Sequence, residues 1–433
     1  MNYYSTNRKA PNVSLREAVI QGLAPDKGLY MPQEIKVLPE VFYDSINELT
    51  LTEVAYAVST QFFGDDVPPN ILQEMVHDTL SFPIPLVPVG ERIYALELFH
   101  GPTLAFKDVG ARFMARLLSY FIQKERIGEV RVLVATSGDT GSAVANGFLD
   151  VPGIRVFVLY PKGKVSSIQE KQFTTLGRNI TAIEVDGTFD DCQALVKAAF
   201  VDPVLNEQMC LTSANSINVA RLLPQSFYYF HALSQLRAMG VSDRVVVSVP
   251  SGNFGNLTAG LIARQMGLPI ARFIAANNEN HVICDYLSNG KFIPHPSIAT
   301  IANAMDVGNP SNFARMLDLY HGDHYAMSRD IQGTWCTDDM IADVINHVFR
   351  SEGYFIDPHG ACAYYALLDK LRFGEVGIFL ETAHPAKFGE TMRRITGVDV
   401  PIPQRLAEFM RGVKQSIPMS RDFADFRHFL LQV

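Results

Sequence analysis

The sequence is sparing in features that mark whole classes of protein. Its 433 residues hold five cysteines, Cys192, Cys210, Cys284, Cys336 and Cys362, which are far apart, odd in number and form no CxxC pair. That usage excludes a disulfide framework and leaves free, mostly buried thiols. His321 and His324 stand close together but have no third ligand near them in sequence, so no zinc site is expected. No apolar run reaches the length of a membrane span, and the opening residues Met1 to Arg8 lack the apolar core of a signal peptide. A cytoplasmic protein without a membrane partner is the expectation. Basic residues are in the minority, 37 Lys and Arg against 45 Asp and Glu for a formal charge of −8, which gives no support for a nucleic-acid partner. Internal repeats and low-complexity segments are missing too.

What is present describes a globular enzyme. Apolar residues make up 48% and charged residues 19%, and the length suffices for two or three domains, each with its own core. Helical patterns near residues 14–22, 52–63 and 69–79, broken by prolines, predict a small, mostly helical N-terminal domain over residues 1–80. The Pro-rich run 82–89 reads as an extended boundary. Beyond residue 107, apolar β-branched runs at 130–135, 154–160 and 180–185 alternate with helical patterns at 142–148, 167–176 and 190–200, as in βαβ units. The alternation returns with a helix over 218–239, strands at 244–249, 270–276 and 376–380, and helices at 257–266, 337–352, 359–371 and 387–396. Residues 277–334 read as irregular. The expectation is an α/β fold with two open parallel sheets, which bind ligands at the ends of their strands.

One stretch organises the rest: Phe99-His100-Gly101-Pro102-Thr103-Leu104-Ala105-Phe106-Lys107-Asp108-Val109-Gly110. Apolar residues recur from Val109 through Phe113, Leu117, Leu118 and Phe121, so Lys107 falls at or just before the first turn of an amphipathic helix. The positive end of the helix dipole and the apolar neighbours Leu104, Ala105 and Phe106 both favour its neutral amine. A neutral lysine amine is a nucleophile that condenses with carbonyls to a Schiff base. Taken alone, the stretch is equally compatible with a solvated lysine whose stem runs past Phe106.

Four turns carry unusual residues. Thr136-Ser137-Gly138-Asp139-Thr140-Gly141 brings hydroxyls and helix-start N–H groups together, which suits a carboxylate or phosphate, or else forms a capped turn. Pro250-Ser251-Gly252-Asn253-Phe254-Gly255-Asn256 lets the backbone approach an anion, and without a Walker lysine or GxGxxG spacing it fits a single phosphate better than a nucleoside triphosphate. Thr382 ends a buried strand and offers a neutral hydroxyl. Ser213 to Arg221 supplies amides, hydroxyls and a guanidinium suited to a second anion, unless Arg221 is a helix-surface residue. A lysine together with a one-phosphate cradle implies pyridoxal phosphate.

These stretches, with Gly22 to Pro32 and Asn303 to Asn312, closely resemble the threonine synthases, a family of fold type II pyridoxal-phosphate enzymes. The resemblance runs to about Gly397; departures include Lys27, where the family usually has glycine, and Asn7-Arg8. It implies a tryptophan synthase β-like fold: a helical domain 1–80, a large cofactor domain 81–106 and 215–397, a smaller α/β domain 107–214, and a tail 398–433. It also implies roles. Lys107 would bear pyridoxal 5'-phosphate as a Schiff base, and Ser251, Gly252, Asn253, Phe254, Gly255 and Asn256 would cradle its phosphate. Asp139 would lie near its phenolic oxygen, and Thr382 would face its ring nitrogen. Ser137 and Thr140 would hold the substrate carboxylate, while Ser216, Asn218 and Arg221, helped by one of Lys162, Lys164 or Lys387, would hold the substrate phosphate. The substrate implied is O-phospho-L-homoserine, the product L-threonine, and the assembly a monomer or homodimer. The rivals are a serine or threonine dehydratase on the same fold and a non-catalytic binder of an amino-acid phosphate. The first has no need of Ser216, Asn218 and Arg221, and the second has no need of Lys107.

Overall fold

The computed structural model describes residues 1–433. Its strands, in chain order, are β1 (Asn2–Ser5), β2 (Val13–Ser14), β3 (Tyr30–Pro32), β4 (Leu86–Pro88), β5 (Ile93–Glu97), β6 (Val130–Ala135), β7 (Ile154–Pro161), β8 (Ile180–Val185), β9 (Cys210–Ser213), β10 (Arg244–Pro250), β11 (Ile270–Asn277), β12 (Ile331–Trp335), β13 (Glu375–Glu381) and β14 (Ile417–Met419). The chain divides into two compact units: residues 1–31, 107–221 and 402–433 form the first, residues 32–106 and 222–401 the second. No helix is long and apolar enough to cross a membrane.

The first unit is built on a sheet of order β14-β8-β7-β6-β9, parallel throughout. Its inner strands are buried along most of their length, as expected where helices cover both faces. One face carries a core of Leu133, Phe157, Leu159, Ile183 and Val185, closed by Leu195 and Val196 from helix Phe189–Val201 and by Phe426 and Leu430 from the C-terminal helix Phe423–Gln432. Cys192 lies in that core, where burial pushes its thiol up to about 12. The tail is therefore part of this unit, with β14 extending the sheet at β8. Residues 1–31 add the small sheet β2-β1-β3 and helix Leu15–Gln21, so the N-terminal region carries strands besides its helices. Capping boxes start three of the chain's helices, with Ser14, Thr50 and Thr188 as caps and Glu17, Glu53 and Asp191 as their partners.

The second unit has the order β12-β11-β10-β13-β5-β4, parallel except for the edge strand β4. Proline confines β4 to the edge, because it cannot donate to a neighbour on both sides. The expected helix over 218–239 is broken: helix Val219–Leu222 passes into a 3-10 turn at Leu223–Ser226, and a new helix runs over Phe227–Ala238. Pro224 removes the N–H that a continuous helix would use. The stretch that reads as irregular contains β12, which pairs with β11 from Phe273 to Asn277.

Strand order places the ligand-binding ends. In the first sheet the chain moves outward from β6 to β7 and β8, then returns to lay β9 on the other side of β6. In the second it moves from β10 to β11 and β12, then returns to lay β13 on the other side of β10. At each reversal the two loops leave in opposite directions and open a crevice at the strand ends.

Candidate active site

Both reversals carry the turns singled out in the sequence. In the second unit, β10 runs into Ser251-Gly252-Asn253-Phe254 and then helix Gly255–Gln265, while its neighbour β13 is followed directly by Thr382. A Cβ at Gly252 would lie 2.7 Å from Met305 Cα and 2.9 Å from the Ala304 carbonyl oxygen, so only glycine allows this turn to sit against residues 304–305. Phe254 takes a left-handed conformation, φ 59°, that swings the chain into the helix. First-turn N–H groups of a helix have no intrahelical acceptor, so this turn aims donors at the crevice. Asn253 Oδ1 accepts from Ser311 N at 2.6 Å and Ser311 Oγ at 2.9 Å, while Asn256 Oδ1 accepts from Leu257 N at 2.9 Å and bonds the Ser251 hydroxyl. Asn256 Nδ2 donates to the Pro250 carbonyl at 2.9 Å. These side chains hold the turn in shape.

Thr382 is buried, and its carbonyl accepts the Phe106 N–H at 2.9 Å. His384 N donates to the Leu104 carbonyl at 3.0 Å, and Ala105 bridges Ala383 antiparallel. The residues before Lys107 are thus laced to the end of β13. Leu104 has φ 59°, a strained value for a branched side chain and one that marks functional sites. Lys107 is half-buried and is the first residue of helix Lys107–Glu125. Lys387 is buried, and its Nζ donates to the Thr103 carbonyl at 3.0 Å.

In the first unit, β6 ends in the Thr136 to Gly141 turn, leading into helix Asp139–Gly147. Thr136 Oγ1 accepts from Gly138 N at 2.9 Å and Gly141 N at 2.8 Å, which folds the turn tightly. Ser137 is exposed and Thr140 half-buried, so both hydroxyls are reachable. Asp139 is buried and accepts from Gln169 Nε2 at 2.9 Å. Gln169 carries no sequence signal, because it lies 30 positions away and only the fold brings it to Asp139.

The β9 side of the same reversal carries Asn215 to Arg221. Asn215 Nδ2 reaches the Ala135 carbonyl at 3.1 Å, tying the two loops together, and Ser216 is half-buried. Asn218 is fully buried: Nδ2 donates to the carbonyls of Val19 at 2.9 Å and Ser213 at 3.1 Å, and Oδ1 accepts from Ala220 N at 3.0 Å. Both of its N–H donors are used, so Asn218 shapes the loop. Arg221 is also buried, with Nη1 on the Ala214 carbonyl at 2.6 Å. Burial pulls its pKa down to about 10 against the pull of Asp108. That explains the motif after the lysine: Asp108 faces Arg221, and a Cβ at Gly110 would lie 2.6 Å from the Arg221 carbonyl oxygen. Lys162 and Lys164 are exposed, in the loop after β7.

Sequence reasoning also missed Asp357, His359 and Glu381, buried beside Thr382. The only signal was Asp357-Pro358 at a helix start, which reads as an ordinary cap.

A glycine cradle that no Cβ could enter, a helix start for one phosphate, a lysine preceded by a segment laced to a strand end and a neutral hydroxyl at that end fit pyridoxal phosphate. Residues 80–377 match the model of the family described as pyridoxal-phosphate dependent enzyme, residues 2–80 the threonine synthase N terminus, and residues 360–430 the threonine synthase C-terminal model. The chain is a fold type II pyridoxal-phosphate-dependent enzyme, and pyridoxal 5'-phosphate is its cofactor. It is 46% identical over 432 residues to threonine synthase of Haemophilus influenzae, covering 100% of both chains. The crystal structure of threonine synthase from Escherichia coli superposes with a TM-score of 0.93 at 42% identity, covering 100% of both chains. The pyridoxal-phosphate-bound threonine synthase of Brucella melitensis does so with 0.93 at 33% identity, over 100% of this chain and 99% of that one. The chain belongs to the threonine synthase family.

Proposed function

We propose that this enzyme converts O-phospho-L-homoserine and water to L-threonine and inorganic phosphate, with Lys107 as the cofactor-bearing residue. The observation that supports the reading is the Phe106–Thr382 hydrogen bond, which ties the residue before Lys107 to the end of β13. Pyridoxal phosphate, when bound, supplies an electron-withdrawing ring that acidifies the carbons near the substrate amine.

The chain's own residues then divide the work. Ser251 to Asn256 would present N–H groups to the cofactor phosphate, and Thr382 would offer the ring nitrogen a hydroxyl, which does not enforce protonation as a carboxylate would. Asp139, steadied by Gln169, takes the phenolic side. Ser137 and Thr140 hold the substrate carboxylate. Lys107, as a neutral amine, would be the base that takes the α-proton. Ser216 and Arg221 hold the substrate phosphate on the loop that Asn218 shapes, with Lys162 or Lys164 as further cations. The buried Lys387 acts through Thr103. In the balanced reaction the Cγ–O bond breaks and its electron pair leaves with phosphate. One Cβ–H bond breaks and a water oxygen bonds to Cβ as a hydroxyl, Cγ gains one hydrogen that makes it a methyl group, and the remaining water proton goes to the released phosphate or solvent. We place the enzyme in the cytoplasm, acting as a monomer or homodimer.

The test joins two measurements. Borohydride-reduced holoenzyme, digested and analysed by mass spectrometry, should carry the adduct on Lys107. Phosphohomoserine should yield phosphate and threonine in equal amounts. An adduct elsewhere, or keto acid from threonine without phosphate release from phosphohomoserine, would overturn the reading.

A further inference from the structure

The second unit buries a cluster of titratable groups beside Thr382. Asp357, His359 and Glu381 are at most 2% exposed. Glu97 borders them, with Oε1 taking the Tyr354 hydroxyl at 2.9 Å and Oε2 meeting His100 Nε2 at 2.7 Å.

Their hydrogen bonds run in one direction. Glu381 Oε1 accepts the Asp357 N–H at 2.6 Å. Its Oε2 is buried with no donor on it, in a space that exists because residue 360 is glycine: a Cβ there would lie 1.6 Å from that oxygen. Burial, then the negative charges of Asp357 and Glu97, pushes the Glu381 pKa well above the carboxylate range. Asp357 Oδ1 in turn accepts His359 N at 2.7 Å and His359 Nδ1 at 2.6 Å. With its proton on Nδ1, the imidazole presents a lone pair at Nε2, and the Ala304 N–H, which can only donate, sits 3.1 Å from it.

The two ends of this chain of bonds reach the segment packed on Gly252 and the turn after β13. Ala304 and Met305 are the backbone against which Gly252 packs. At the other end, Asp357 Oδ2 accepts the N–H of Ala383, the residue after Thr382, at 3.4 Å.

We propose that His359, oriented by Asp357, whose own N–H is held by Glu381, is a positioning residue for pyridoxal phosphate: it pins residues 304–305 against Gly252 and ties them to the Thr382 turn. The proposal rests on the reading of Ser251 to Asn256 as the phosphate cradle.

The experiment titrates apoprotein with pyridoxal phosphate, follows the absorption band of the lysine-bound cofactor, and records apoprotein Tm in parallel. His359→Asn keeps a donor for Asp357 but loses the distal acceptor; His359→Gln restores an acceptor near the Nε2 position. Loss of one buried hydrogen bond should weaken cofactor binding about tenfold in His359→Asn, and His359→Gln should stay within about threefold of the parent. Ser251→Ala, as a control on the cradle, should also bind more weakly. A parent-like affinity for His359→Asn beside a weakened Ser251→Ala overturns the positioning role alone, as does an equal loss in His359→Asn and His359→Gln. Unchanged affinity in Ser251→Ala overturns the cradle reading and this proposal with it. Should His359→Asn fail to fold, Glu381 substitutes for it. Glu381→Gln keeps a carbonyl acceptor for the Asp357 N–H and should bind like the parent, whereas Glu381→Leu should lose about tenfold; a parent-like Glu381→Leu overturns the proposal.

Discussion

The Phe106 N–H lies 2.9 Å from the Thr382 carbonyl oxygen, and His384 returns a bond of 3.0 Å to the Leu104 carbonyl. Two residues 276 positions apart are thereby fixed against each other, and Lys107 follows Phe106 directly, so the end of β13 sets where the lysine's helix begins. Phe106→Pro removes that donor. Stability should fall by about 1–3 kcal/mol, the cost of a buried carbonyl left without its partner, and phosphate release should drop by about tenfold or more because the lysine is no longer held. Thermal unfolding of the apoprotein and steady-state turnover check the two parts separately.

Asn218 offers a different expectation. Its side chain bonds Val19, Ser213 and Ala220, and nothing in that set is solvent-facing. Asn218→Ala strands two carbonyls and an N–H, so it should cost about 2 kcal/mol of stability. It should also raise KM for the phosphorylated substrate by loosening the loop that carries Ser216. A variant of parental stability whose KM alone rises would instead put the Asn218 amide in direct contact with substrate.

Much of this was legible in the sequence. The runs at 130–135 and 180–185 emerge as β6 and β8 with the same ends, because continuous β-branched residues between turn signals have few alternatives. The turns after β6 and β10 were legible as turns because glycine, hydroxyls and amides cluster at each strand-to-helix junction. Strand order was not, since the returns of β9 and β13 depend on contacts far apart in sequence. For the same reason Gln169 behind Asp139, and Asp357 and His359 behind Glu381, looked like ordinary surface or cap residues. Short strands such as β12 and β14 carry too little pattern to detect, and they form because a neighbouring edge stands ready.

Lys27 sits where a side chain bears a backbone cost. Its φ is 66°, in the left-handed region, within a turn closed by Lys27 N to the Ala24 carbonyl at 2.8 Å. A side chain there costs about 1–2 kcal/mol, and glycine returns part of that as unfolded-state entropy. Lys27→Gly should therefore stabilise the protein by about 0.5–1 kcal/mol and leave turnover unchanged. Chemical denaturation of both proteins measures the difference, and a destabilised Lys27→Gly would show that the lysine's own contacts outweigh its strain.

The neighbouring Asp26 sets an acid limit on the same turn. Its Oδ1 accepts from Ser5 Oγ at 2.6 Å and Gly28 N at 2.9 Å, and its Oδ2 accepts from Lys9 N and Ala10 N, each at 2.9 Å. Burial opposes ionisation, yet these bonds outweigh it and bring the pKa from 3.8 down to about 2. The folded value lies below the unfolded one, so the folded state binds the proton less readily and the carboxylate contributes stability. That contribution is complete above about pH 4 and is lost as pH falls toward 2. Asp26→Asn cannot ionise and turns an N–H toward one pair of donors. It should be less stable than the parent at pH 6, with a gap that narrows between pH 4 and pH 2. Unfolding curves of the two proteins across that range test it, and a gap independent of pH would mean that the Asp26 contribution comes from hydrogen bonds a neutral carboxyl makes equally well.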